Sequence, residues 1–223
     1  MACDEATPGG GTRERLLQSA CEVFAAKGYR EATIAEICEQ AGANIAAVNY
    51  HFRDKASLYV EAWRLSFQRS IARHPPDGGV PGGAPAEERL RGRIRALVHR
   101  VADAQSNEFR IVHKELAQPT GLLAEVMGES INPIRQGLEE LVRELLGPGA
   151  SAEEIRLCQM SIRAQCFDMM IHRRRPPLAG RPDPRPADLP DASIVAEHIA
   201  RFSLAGIRDM RQRIMERQSA AES

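Results

Sequence analysis

The sequence predicts an all-α protein of about nine helices, with an N-terminal three-helix helix-turn-helix domain and a larger helical domain behind it. Three observations predict it. Apolar residues recur at three- and four-residue spacing, and no sustained two-residue alternation of β-branched residues appears. Helix-starting signatures, Thr33-x-x-Glu36 and Ser151-x-x-Glu154, stand ahead of two of those stripes. Two stretches break the pattern. Residues 75–85 hold four Pro and four Gly, and residues 173–191 hold six Pro and five Arg. Neither can continue a helix, because Pro lacks the backbone donor and Gly carries a large entropy cost.

The elements follow in order. Leu16, Leu17, Ala20, Cys21 and Phe24 form the stripe of a first helix, ended by Gly28. Residues 1–12 ahead of it are expected to be a disordered arm. The Thr33 box opens a second helix with Ile34, Ile37, Cys38 and Ala41 inward, ended by Gly42. Asn44 caps a short third helix through Tyr50, with Ile45, Val48 and Phe52 read as core. Asp54 caps a fourth, carrying Leu58, Tyr59, Ala62 and Trp63 to about Arg73. Leu90, Ile94, Leu97, Val98 and Val101 mark a fifth. A sixth covers about Asn107 to Ala117, and a seventh about Gly121 to Leu146, where Pro133 predicts a kink. The eighth runs from the Ser151 box to about His172, and the ninth from about Ala192 to Arg217.

The eighth helix is apolar round nearly its whole circumference, from Ile155 to Ile171. Such a helix is buried on two sides, and one of them is expected to be covered by a partner. With Val195, Ile199, Phe202, Met210 and Ile214 of the ninth, it predicts an intermolecular four-helix bundle built from residues 151–172 and 192–217 of two copies.

Composition excludes several classes. Hydrophobic residues are 43% and charged residues 27%, the composition of a globular chain. No apolar run approaches the roughly 20 residues of a membrane span. The first dozen residues lack the apolar stretch of a secretory signal, so the cytoplasm is the expected location. Five scattered cysteines and six histidines show no metal or disulfide spacing, and neither metal nor cofactor is expected. Thirty basic residues balance thirty acidic ones, so a nucleic-acid partner would have to be met by local charge.

The second and third helices carry the functional signal. Eight helical residues, a Gly-containing turn and a short capped helix make a helix-turn-helix, whose second helix enters the major groove of duplex DNA. Phe24, Gly28, Tyr29, Thr33, Ile34, Ile37, Ala41, Gly42, Tyr50, His51, Phe52, Lys55 and Leu58 resemble the N-terminal domain of TetR-family transcriptional regulators over about residues 13–60. Asn49 replaces the usual Tyr and Asn44 the usual Ser. The string from Asn44 to Phe52, the segment Glu115-Leu116-Ala117-Gln118-Pro119-Thr120 and a later Pro133 resemble the CecR-like subgroup.

The resemblance implies a homodimeric repressor with residues 13–58 on a palindromic operator and residues 59–223 holding a small-molecule effector and the dimer interface. It also implies release from DNA by that effector. No enzymatic turnover is expected. Arg13, Thr33, Asn44, Tyr50, His51 and Lys55 are the expected backbone contacts. Base reading falls to Asn49, which matches adenine, and to Ala46 or Ala47 against a thymine methyl. Residues 1–58 hold six Lys and Arg against eight Asp and Glu, a net of −2. Few phosphate contacts are therefore expected, and a salt slope of roughly −5 for the dimer.

Trp63, Phe67, Phe109, Met127 and Ile131, with His113 and Glu115 as polar anchors, are the candidate effector lining; each is equally readable as ordinary core or surface. Cys158 and Cys166 read as buried small hydrophobes before redox sensors. Arg173 to Arg175 read as a solvated helix end. Two alternatives remain open: a helical interaction protein without DNA binding, supported by the net charge of −2, and a small helical enzyme, supported only by His113 and Glu115, which two-residue spacing on a helix turns apart.

Overall fold

The computed structural model describes residues 8–174 and 190–221. Among them are nine helices and no strand: α1 (Pro8–Glu31), α2 (Ile34–Ala41), α3 (Ile45–Phe52), α4 (Lys55–Arg73), α5 (Ala86–Ala102), α6 (Asn107–Ala117), α7 (Ala124–Leu146), α8 (Ala152–Arg174) and α9 (Ala192–Ala221). The all-α expectation holds, with shifts at the ends. α1 begins at Pro8, inside the stretch expected as an arm, and residues 1–7 lie outside the described residues. Proline suits a first turn because its missing N–H has no intrahelical partner there. α3 runs two residues past Tyr50, and α7 starts at Ala124 instead of Gly121. Most of the 173–191 stretch also lies outside the described residues.

Packing forms two compact units, residues 1–70 with 105–128, and residues 71–104 with 129–223. α6, and α4 as far as Ser70, thus belong to the same unit as α1–α3, and the expected boundary at 58/59 falls inside α4.

In the first unit α1 packs against α2, α3 and α6. Leu16, Phe24, Ile37, Val48, Leu58, Tyr59 and Trp63 are buried at its centre. α1 breaks at Gly28, where φ is 77° and ψ 177°, a conformation an L side chain rarely takes. The same glycine lets α6 approach, since a Cβ there would lie 3.3 Å from Lys114 Cβ. Gly42 closes α2 in the left-handed conformation, and the next N–H, of Ala43, donates to the Cys38 carbonyl at 2.9 Å.

One core expectation is overturned. Ile45 is 54% exposed, while Val48 and Phe52 of the same helix are buried. Cα–Cβ bonds tilt toward a helix N-terminus, so a residue in the first turn overhangs the helix end and has no preceding turn to pack on.

In the second unit α5 packs on α8 and α9, and α8 on α9. Leu90, Ile94, Val142, Leu146, Ile162, Cys166, Leu204 and Ile207 form its core. Ion pairs tie the same helices, Arg91 to Glu197 at 2.8 Å and Arg208 to Glu87 through two bonds of 2.9 and 2.6 Å. The Ser151 box is reciprocal: Glu154 N–H donates to Ser151 Oγ at 3.2 Å and Ser151 N–H to Glu154 Oε2 at 2.8 Å. The Pro/Gly stretch 75–85 is a run of turns held on α5, with Arg95 donating to the Gly78 carbonyl at 3.1 Å and Arg89 to that of Ala84 at 2.9 Å. Among the described residues, α8 is covered on one side only. Leu157, Met160 and Ala164 are exposed, as are Ile194 and Phe202 of α9, whereas Ile199 and Ile214 are core.

Candidate nucleic-acid interface

Three consecutive helix starts are fixed by side-chain caps. Thr33 Oγ1 accepts from Glu36 N–H at 3.2 Å, Asn44 Oδ1 from Ala47 N–H at 2.9 Å and Asp54 Oδ1 from Ser57 N–H at 2.7 Å. Each cap consumes an acceptor, so the Thr33 hydroxyl proton and the Asn44 amide hydrogens stay available to a phosphate oxygen. The Thr33 box is half built, because the Glu36 carboxylate pairs with Lys27 Nζ at 2.6 Å.

Asp54 changes the expectation for α4. Its own carboxylate occupies that helix start, and the hydrogen bond from Ser57 holds its pKa below the usual range. A phosphate meets an anion there, so the helix-terminus sites are those of α2 and α3.

α3 presents Ile45, Ala46, Asn49 and Tyr50 to solvent, Tyr50 at 83% exposure. Ala47 and His51 are half-buried, which leaves Ala46 as the more accessible of the two alanines. The His51 ring meets the edge of Tyr50 with centroids 4.9 Å apart.

The basic residues are more engaged than their sequence positions suggest. Arg13 pairs with Glu61 at 3.4 Å and lies over the Phe52 ring at 5.0 Å. Arg15 donates to the Ala41 carbonyl at 3.1 Å, and so caps the C-terminus of α2. Lys55 Nζ sits 4.6 Å from the Tyr29 ring centroid, and burial pushes its pKa down. Phe24, Tyr29 and Tyr59 cluster with it, Phe24 stacked on Tyr29 and edge-on to Tyr59, with Tyr29 and Tyr59 tilted at centroids 5.1 Å apart.

Arg53 received no role from the sequence. It is exposed at the C-cap of α3, with φ 70° and ψ −53°. Asp54 N–H donates across it to the Phe52 carbonyl at 2.9 Å, which makes Arg53 the centre of a γ-turn of the rare, strained hand. No sequence signal marks it, since a positive φ usually selects Gly or Asn.

Trp63 and Phe67 are buried and stacked at 5.2 Å, and among the described residues no acceptor reaches the buried Trp63 Nε1. Phe109 is buried; His113, Met127 and Ile131 are half-buried. Five of these six belong to the first unit and Ile131 to the second. Glu115, weighed with His113 as a polar anchor, is fully engaged. It accepts from Thr120 N–H and Oγ1 at 2.8 Å each, from Gly121 N–H at 3.1 Å and from Tyr59 Oη at 3.0 Å. Burial holds the Tyr59 phenol protonated, well above its ordinary range, with the Glu115 charge adding to the effect.

A capped helix-turn-helix with an exposed second helix defines a DNA-binding protein. The sequence profile described as bacterial regulatory proteins of the tetR family matches residues 16–62, and that of the C-terminal domain of the HTH-type transcriptional dual regulator CecR matches residues 86–207. The chain belongs to the TetR family, with a CecR-type C-terminal domain, and is a DNA-binding regulator of transcription. It is 27% identical over 152 residues to the HTH-type transcriptional regulator SrpR of Pseudomonas putida, covering 67% of this chain and 68% of that one. Its fold is similar to that of FadR from Bacillus subtilis in complex with stearoyl-CoA, with a TM-score of 0.64 at 17% identity over 86% of this chain and 98% of that one. AibR in complex with isovaleryl coenzyme A and operator DNA gives 0.63 at 17% identity, covering 86% and 97%. Among the described residues no helix is long and apolar enough to cross a membrane.

Proposed function

We propose that the protein is a homodimeric repressor whose two copies of α3 read the halves of a palindromic operator in the cytoplasm, and which a small molecule releases from DNA. The exposed polar and apolar face of α3, held between the Asn44 and Asp54 caps, carries this reading. Residues 13–58 serve as the reading head, with Thr33, Asn44, Tyr50, His51, Lys55 and Arg13 on the backbone and Asn49 on adenine. The exposed row of Leu157, Met160, Ile194 and Phe202 supports the dimer, because a second copy offers the same apolar row in return.

The remaining residues hold the effector and the dimer interface, with no turnover of the bound molecule. The stacked Trp63 and Phe67, with Phe109 and Met127 of the same unit, suit an apolar effector, and Trp63 Nε1 with His113 would take its acceptor groups. FadR and AibR each bind an acyl-coenzyme A, which makes such thioesters the first effectors to try.

Purified protein incubated with fragments of its source genome at about 100 mM salt should recover one palindrome, the salt being low enough to keep few-contact binding measurable. The double variant Tyr50→Ala, Lys55→Ala should lose that duplex while remaining a dimer. Undiminished binding by the double variant would refute the assigned backbone contacts.

A further inference from the structure

We propose that Ile45 is a base-reading residue that packs on the 5-methyl group of a thymine in the operator major groove. The assignment rests on α3 being the recognition helix and names part of the sequence it reads.

The first residue of α3 is an isoleucine 54% exposed, in a unit that buries Ile37 and Val48. Side chains in the first turns of a recognition helix are those that meet base edges. Apolar contact there selects the thymine methyl, the one apolar group that a base pair shows in the major groove. None of the side chains from Ile45 to Tyr50 is charged. The face therefore lacks the Arg or Lys that best reads the two acceptors of guanine.

Asn49 stands four residues on, in the same row of the helix surface. Four residues rise about 6 Å. That is close to two base-pair steps of about 3.4 Å. The thymine met by Ile45 thus lies within two steps of the adenine read by Asn49, and the centre of each half-site is A·T-rich.

Full-length protein and its Ile45→Ala variant are each used to select duplexes from a randomised pool. The wild-type motif is then remade with deoxyuridine replacing each thymine in turn. One thymine in each half-site is expected at which loss of the methyl weakens wild-type binding about four-fold, the weight of one buried methylene. The Ile45→Ala protein should not distinguish the two bases there. Because the methyl is removed from the DNA, a folding defect cannot imitate this result. Tolerance of uracil at every position by the wild type, or an equal loss in both proteins, overturns the role of Ile45 and leaves the operator reading intact. Recovery of no motif by either protein overturns the operator reading, and this assignment with it.

Discussion

Tyr59 Oη donates a 3.0 Å hydrogen bond to Glu115 Oε2, joining α4 to α6 inside the first unit. The same carboxylate gathers Thr120 and Gly121, so one side chain fixes both the turn after α6 and the register of α4. Tyr59 in turn touches Tyr29, on which Lys55 rests. Removing Glu115 orphans four donors at once. Glu115→Ala is expected to cost about 3 kcal/mol, and Tyr59→Phe about 1 kcal/mol, in urea unfolding. The double variant should cost less than the sum, since both act on one network. Additive losses would show that the two residues stabilise the unit independently.

Arg53 combines backbone strain with an exposed cation beside the recognition helix. Arg53→Gly relieves the positive φ, and thermal unfolding should show a gain of up to about 1 kcal/mol after the extra chain entropy of glycine. The same substitution should weaken operator binding and flatten the dimer's salt slope by about two units, one for each lost phosphate contact. A stability gain with an unchanged slope would place Arg53 away from the DNA backbone.

Glu154 carries a pH dependence of known sign. Its bonds from Arg217 and Ser151 hold its pKa at about 2, against an ordinary value of 4.5. A carboxyl group whose folded pKa is lowered stabilises the fold above the unfolded value and loses that contribution as pH falls through the folded one. Glu154→Gln should therefore be less stable than wild type at pH 7, with the gap narrowing from about pH 4.5 and closing near pH 2. Urea midpoints at neutral, mildly acidic and strongly acidic pH test this; a gap constant with pH would mean that the carboxylate charge contributes nothing.

Met160 and Phe202 offer the most direct test of the dimer, being exposed in the chain and apolar. Met160→Glu with Phe202→Glu should convert dimer to monomer in sedimentation while preserving the helical signal. Four buried carboxylates without partners cost several kcal/mol, more than one interface of this kind supplies. A dimer that survives both substitutions must use another surface.

The sequence disclosed most where the physics is local. The caps of Thr33, Asn44, Asp54 and Ser151 act over three residues, and all four are found. The circumferential apolarity of α8 predicts a second buried side; among the described residues Leu157, Met160 and Ala164 of that helix are exposed, and what covers them is for the dimer variants to test. What stayed hidden needed a third dimension. Spacing alone placed Ile45 with Val48 and Phe52, because periodicity gives a face but not how far the neighbouring helices extend along it. Glu36 turned from its cap to Lys27 for a charge nine positions away in sequence. Glu115 looked like a ligand anchor until the turn folded back onto it, and no pattern in the chain distinguishes those roles. Arg53 was invisible because its strain is imposed by the two helices it joins.

Trp63 is the chain's single tryptophan, and it is fully buried. The protein therefore has a built-in optical probe at one interior point, free of any label and of any competing indole. Buried away from water, and with no acceptor for its N–H among the described residues, this indole is expected to emit toward the blue. Whatever brings an acceptor or water to that nitrogen shifts the colour of the whole molecule, so events inside α4 can be followed in real time while DNA, salt or candidate effectors are varied outside.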